Sequence, residues 1–223
     1  MILRGNRFEI RSRNSNLVYW EQEEFPSWTA LGCLRLFTTV PSGHGVEPHY
    51  HDSDEIWLFR SGRGEVWVGG EKREVTPNTM VYTPMGVVHR FQMFEPWENT
   101  AIVTRLEGKM RAAHILVEDD PPVPAAEGFV VPGVENQGPL ANPGSRCPLS
   151  EFREIHFDAG ETLAAGAPLQ VNEHWLVSGG EIELSVDGAQ ALLVEEDVAL
   201  MKAGAVRAVR ALTQGRAVLV RER

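Results

Sequence analysis

Four side chains in the first half of this chain have the types and spacing to share one metal ion: His49, His51, Glu55 and His89. His49 and His51 are two apart, so on a strand both imidazoles leave the same face. Asp52, Ser53 and Asp54 read as a polar turn. Glu55 opens the apolar run Ile56-Trp57-Leu58-Phe59, and antiparallel pairing back across that turn would bring its carboxylate beside the two imidazoles. Pro84-Met85-Gly86 is a further turn, and the strand after it carries His89. Imidazole and carboxylate together suit borderline and hard divalent metals.

The elements that hold these residues read as strand and turn throughout. Glu65-Val66-Trp67-Val68 and Arg73-Glu74-Val75 flank a hairpin turn at Gly69-Gly70-Glu71-Lys72. Residues 100–106, 189–194 and 216–220 are further strands. No window sustains helical periodicity; residues 107–117 are the one stretch that reads as a short helix. Short, regularly spaced strands favour a barrel or sandwich.

These motifs resemble the cupin superfamily. Its first motif, G-x5-H-x-H-x3,4-E-x6-G, is met by Gly43, His49, His51, Glu55 and Gly62. Its second, G-x5-P-x-G-x2-H-x3-N, is met by Pro84, Gly86 and His89, with Asn78 for the first glycine and Met93 for the last asparagine. The resemblance covers Gly43 to Met93. It implies an all-β, jelly-roll barrel holding one divalent transition metal (iron, manganese, nickel, zinc, cobalt or copper) through His49, His51, Glu55 and His89.

The second half repeats the first. Residues 174–180, His-Trp-Leu-Val-Ser-Gly-Gly, resemble residues 56–62, and residues 198–204 resemble 79–86. So long a period points to duplicated domains, hence tandem barrels, a bicupin. The division reads as a metal-binding barrel over residues 1–118, a Pro/Gly-rich linker over 119–148 and a degenerate barrel over 149–223. Aligning Trp175 with Trp57 puts Ala167 and Leu169 where His49 and His51 stand and keeps Glu173 in place of Glu55. Aligning Gly204 with Gly86 puts Arg207 where His89 stands. Arg207 and Glu173 are expected to form an ion pair inside the second barrel in place of a metal, with capture of an anion by Arg207 as the functional alternative.

Around the metal, parity nominates pocket residues. Trp57 and Phe59 share the face of Glu55, and Phe91 shares that of His89. Glu47 shares parity with His49 and is a candidate acid/base, as is Tyr82. His44 and Arg105 are candidate substrate contacts. His114, His156 and His174 have no motif around them and read as surface or satisfied histidines. Arg35, inside Cys33-Leu34-Arg35-Leu36-Phe37, must face solvent or meet a charge inside; the sequence leaves both open.

The whole chain sets outer bounds. A net charge of −10 argues against a nucleic-acid surface, and 43% hydrophobic residues are enough for an ordinary core. No run of about 18 apolar residues reads as a membrane helix. Residues 1–16 lack the apolar centre of a signal peptide, and Cys33 and Cys147 read as reduced thiols, so the expected location is cytoplasmic. An open metal position can bind a bidentate oxygen ligand and act as a Lewis acid or a redox centre. The resemblance therefore implies an isomerase, epimerase, lyase or dioxygenase acting on a small oxygen-rich metabolite, in a homodimer. The alternative is a non-catalytic protein that binds a small molecule at its metal.

Overall fold

The computed structural model describes residues 1–5, 7–10, 15–106, 114–117, 129–131 and 147–223, and these fall into two compact units. Among the described residues both are all-β, with only a short 3-10 turn at Gln22–Glu24 besides strands. No helix among the described residues is long and apolar enough to cross a membrane.

The first unit is a barrel of two sheets. One orders its strands Phe129–Val131, Thr79–Thr83, Glu55–Ser61, Trp97–Thr104, Leu31–Val40, Ser15–Glu21 and Arg7–Ile10. The other orders His114–Leu116, Gly45–His51, His89–Met93, Gly64–Val68 and Glu71–Val75. All pairings are antiparallel, as for a fold of local hairpins and sheet-switching turns. Between the sheets pack Trp57, Phe59, Phe91 and Trp97, each at most 5% exposed. Burying a side chain of this size stabilises the fold by roughly 1.5–3 kcal/mol, so this aromatic group is the main cement of the barrel.

Turn chemistry follows the sequence. Gly69 and Gly70, both at positive φ, make the two-residue loop joining Gly64–Val68 to Glu71–Val75. Gly62 has φ +85°, and a Cβ there would lie 2.7 Å from the Pro96 carbonyl oxygen. Asn78, which replaces a motif glycine, keeps the left-handed backbone at φ 65°, a conformation that asparagine tolerates better than other side chains.

Among the described residues the second unit repeats the core of this topology, without counterparts of Ser15–Glu21, Arg7–Ile10 and His114–Leu116. Its larger sheet orders Ile2–Leu3, Val198–Met201, Glu173–Gly179, Gly215–Glu222 and Leu149–Phe157; its smaller one orders Thr162–Ala164, Arg207–Ala211, Glu181–Val186 and Ala189–Val194. Ile2–Leu3 thus belong to the second barrel, paired with Val198 and Ala199, although a division by sequence put Met1 in the first. Two residues carry no periodicity that could have shown this. Of the expected linker, Phe129–Val131 is a strand beside Thr79–Thr83, and residues 118–128 and 132–146 lie outside the described residues. Of the expected helix, His114–Leu116 is a strand paired with His49–His51, and residues 107–113 lie outside the described residues. Three edge residues give no helical hydrophobic face, and pairing decides their conformation.

Candidate metal centre and its pocket

The four predicted ligands converge. One donor atom from each of His49, His51, Glu55 and His89 lies within 4.8 Å of the others, and all four residues are at most 3% exposed. His49 and His51 come from Gly45–His51, and His89 from the adjacent strand, where it is the direct cross-strand partner of His49. Glu55 does not reach them through a hairpin, as the turn at Asp52–Asp54 suggested. The strands Gly45–His51 and Glu55–Ser61 do not pair; they lie in opposite sheets. The short polar turn carries the chain across the barrel, so the carboxylate faces the imidazoles from the other wall.

Glu55 Oε2 stands 2.9 Å from His89 Nε2, 3.3 Å from His51 Nε2 and 3.9 Å from His49 Nε2. The Nδ1 of His49 is 2.7 Å from the Glu47 carbonyl oxygen, and that of His89 is 2.8 Å from the Val87 carbonyl oxygen. An Nδ1–H donating to a carbonyl leaves the Nε2 lone pair free, the tautomer a ligating histidine needs. Two such lone pairs aimed at a carboxylate oxygen repel it unless a cation sits between them. The donor set therefore fits a divalent metal. Without a cation the imidazoles must present Nε2–H instead; burial then opposes ionisation of Glu55, but the charge and hydrogen bonds of His51 and His89 overcome it and hold the carboxyl well below the usual carboxylate range.

Beside the cluster is a cavity of about 160 Å³, lined by Arg35, His49, Glu55, Trp57, Trp97 and Asn99 among others. Sheet register explains the lining. Arg35, Ala101 and Trp57 are successive partners across three strands, and Phe37, Asn99 and Phe59 form the next inward row. Ala101, between a long side chain and an indole, leaves the space open. A larger cleft of about 440 Å³ runs past His156, Asp158, Glu161 and Arg216 on the second unit. Among the described residues no metal-ligating cluster touches it, so the smaller cavity is the candidate site.

The nominated pocket residues are placed as follows. Trp57 and Phe91 line the cavity, with ring centroids 5.0 Å apart, and the Trp57 ring is also 5.0 Å from that of His89. Phe59 is buried behind them, 5.1 Å from Phe91. Glu47 is exposed, and its carbonyl rather than its carboxylate serves the site. His44 is half-buried and contributes a backbone carbonyl to the Met93 N–H. Tyr82 is the cross-strand partner of Ile56, on the face opposite Glu55 and Trp57, and its hydroxyl donates to Asp54 at 2.9 Å. Arg105 donates to the carbonyls of Thr29, Phe25 and Pro26, clamping a loop. None of Glu47, Tyr82, His44 and Arg105 lines the cavity.

Arg35, which the sequence left between solvent and interior, faces inward. Burial opposes its charge, yet Cys33, Glu55 and Glu21 raise its pKa above the ordinary guanidinium value. Burial pushes the Cys33 thiol up to about 11, against the pull of Arg35, so at neutral pH the standing attraction comes from the two carboxylates. Asn99 and Trp97 had no motif to single them out. Only the strand register, which puts Asn99 opposite Phe59, would have found Asn99.

In the second barrel Glu173 is wholly buried and accepts from Arg207, from Trp175 Nε1 at 2.8 Å and from Arg221 Nε at 2.7 Å. Arg221 also donates to Glu151 at 2.6 Å. The expected pair of Arg207 and Glu173 is thus part of a wider network. Leu169, at the position of His51, packs in the core. His174 is buried against Glu222 at 2.7 Å, and His156 lies 3.4 Å from Glu154.

Residues 36–94 match the family model described as a cupin domain. The protein y4oW of Sinorhizobium fredii (strain NBRC 101917 / NGR234) is 35% identical over 78 residues, which are 34% of this chain and 35% of that protein. The match thus spans about a third of that relative's length. Vicilin from Corylus avellana (hazelnut) superposes with a TM-score of 0.70 at 12% identity, over 99% of this chain and 84% of that one. Oxalate decarboxylase from Bacillus subtilis, a protein with Mn(II) centres, superposes with a TM-score of 0.67 at 13% identity, over 99% and 76%. Residues 36–94 are thus similar to a cupin domain, and the whole chain has the fold of two tandem jelly-roll barrels, a bicupin fold.

Proposed function

We propose that this bicupin is a metal-dependent enzyme that acts on a small oxygen-rich metabolite in its first barrel. The observation that carries the reading is the cavity of about 160 Å³ that opens directly onto two of the four convergent ligands, His49 and Glu55. A metal with a vacant side next to an enclosed, partly apolar space is the arrangement that admits a substrate to coordination. His49, His51, Glu55 and His89 would hold the ion, which when bound supplies Lewis-acid or redox chemistry toward oxygen ligands. The chain's own residues do the rest. The carbonyls of Glu47 and Val87 fix two imidazole tautomers. Trp57 and Phe91 wall off water, and Ala101 leaves room for the ligand. Isomerisation, lyase chemistry and dioxygenation all fit such a site.

A second reading, non-catalytic binding of a small molecule, is favoured by one observation. The titratable side chains among the described lining residues are Arg35, His49 and Glu55, and the last two are taken up as ligands. No separate acid or base faces the cavity. Elemental analysis followed by oxygen-uptake and product screens with catechols, diketones and keto-sugars separates the two. Turnover that vanishes in His51→Ala supports the enzyme. Stoichiometric ligand binding without turnover, whichever metal is loaded, supports the binder.

A further inference from the structure

Two residues that line the cavity carry hydrogen-bond donors without partners. The side-chain amide nitrogen of Asn99 and the indole N–H of Trp97 are buried, their residues 2% and 1% exposed, and among the described residues neither meets an acceptor. An unsatisfied buried donor costs about 1–3 kcal/mol, so two together at one cavity call for a ligand that accepts hydrogen bonds. Arg35 adds a cation to the same wall, and among the described residues no carboxylate lies within 4.0 Å of it to neutralise it as an ion pair. The Arg35 guanidinium thus shares one cavity with two of the metal ligands, and Asn99 and Trp97, which carry the unpartnered donors, line it as well. Neutral diols and ketones leave that charge unmatched; a carboxylate matches it.

We propose that the first barrel binds a small 2-oxo- or 2-hydroxycarboxylate, with its acid group received by Arg35 and Asn99. Size sets the upper bound. A cavity near 150 Å³ holds a molecule as large as benzene, and the one here is about 160 Å³, so the ligand has about six non-hydrogen atoms. Its 2-oxygen turns to the vacant side of the metal, at the His49 and Glu55 end. Specificity then comes from leaving the donors unmatched when the acid group is missing.

This inference rests on the metal reading above, and the test separates the two. The full chain, loaded with Mn(II) and assayed for metal content, is titrated with pyruvate and with neutral hydroxyacetone by calorimetry, and the Mn(II) EPR spectrum is followed. The expected result is that pyruvate binds and alters the spectrum, while hydroxyacetone binds about 10–100-fold more weakly. Arg35→Met should erase that preference with metal content unchanged. Ala101→Leu, which fills the cavity without removing a charge, should abolish binding and again keep the metal. Equal binding of the two probes, no binding of pyruvate, or an unaltered preference in Arg35→Met overturns the carboxylate assignment while the metal reading stands. A chain that takes up no Mn(II) or other divalent ion defeats the metal reading instead. Titration of that metal-free chain then supports the anion subsite if pyruvate binds in an Arg35-dependent way, and refutes it otherwise.

Discussion

Arg207 Nη2 donates to Glu173 Oε2 at 3.1 Å from the opposite sheet of the second barrel, in the relation that His89 bears to Glu55 in the first. The carboxylate persists in both copies. In one it faces three imidazoles; in the other it meets Arg207 and Arg221. Positive charge opposes it either way, and only the first arrangement offers lone pairs to a metal.

Removing an imidazole should therefore separate metal binding from folding. His51→Ala is expected to weaken metal affinity by more than about 100-fold, beyond what loss of an outer partner of a ligand costs. Most of the barrel should persist, because the aromatic group at Trp57, Phe59, Phe91 and Trp97 is untouched. Elemental analysis and a thermal melt check both halves. Stoichiometric metal in the variant would show that His51 is not a ligand.

The second barrel should respond differently. Arg207→Ala should leave metal content unchanged and destabilise the chain by about 1.5–3 kcal/mol, the range for a hydrogen bond to a charged group. The loss stops short of that for a buried charge stripped of every partner, since Arg221 Nε stays 2.7 Å from Glu173. Urea unfolding measures it.

Acid should act on the same network. Burial would raise the pKa of Glu173, but hydrogen bonds from Arg207, Trp175 and Arg221 overcome it and hold the carboxyl below its ordinary 4.5. A carboxyl depressed in the folded state stabilises fully above its unfolded value, and that stabilisation is lost as pH falls through the folded value. Stability carried by Glu173 should thus be constant above about pH 4.5 and decline below it. In Glu173→Gln this acid-dependent part should disappear. The indole N–H resonance of Trp175, bonded to Glu173, reports the titration directly.

Two turn positions test how backbone conformation supports the site. Gly62→Ala forces a Cβ to 2.7 Å from the Pro96 carbonyl oxygen at φ +85°, and should cost about 1–3 kcal/mol. Asn78→Gly, by contrast, restores the motif residue at φ 65° and should change stability by less than about 1 kcal/mol. Chemical denaturation of both variants distinguishes them.

The ligands were legible because a metal site is written in few residue types at fixed strand parity, and Pro84 and the turn glycines fixed the frame. The duplication was legible for a similar reason: Trp57 and Trp175 recur within matching strands. Parity failed where the chain changes sheets. Asp52–Asp54 looks the same whether it closes a hairpin or crosses the barrel, and only the pairing of Glu55–Ser61 with Thr79–Thr83 and Trp97–Thr104 decides. Tyr82 misled because its facing depends on that register, and Arg105 because a guanidinium can serve backbone carbonyls as readily as a substrate. Asn99 and Trp97 carry no local signal; their meaning lies in what they fail to bond.

Because Glu55 reaches the three imidazoles from the far wall, an ion there would rivet two leaves that otherwise touch mainly through apolar side chains. Its escape would then require the leaves to part. Slow cation exchange and slow deuterium uptake along Glu55–Ser61 would be one event seen by two clocks.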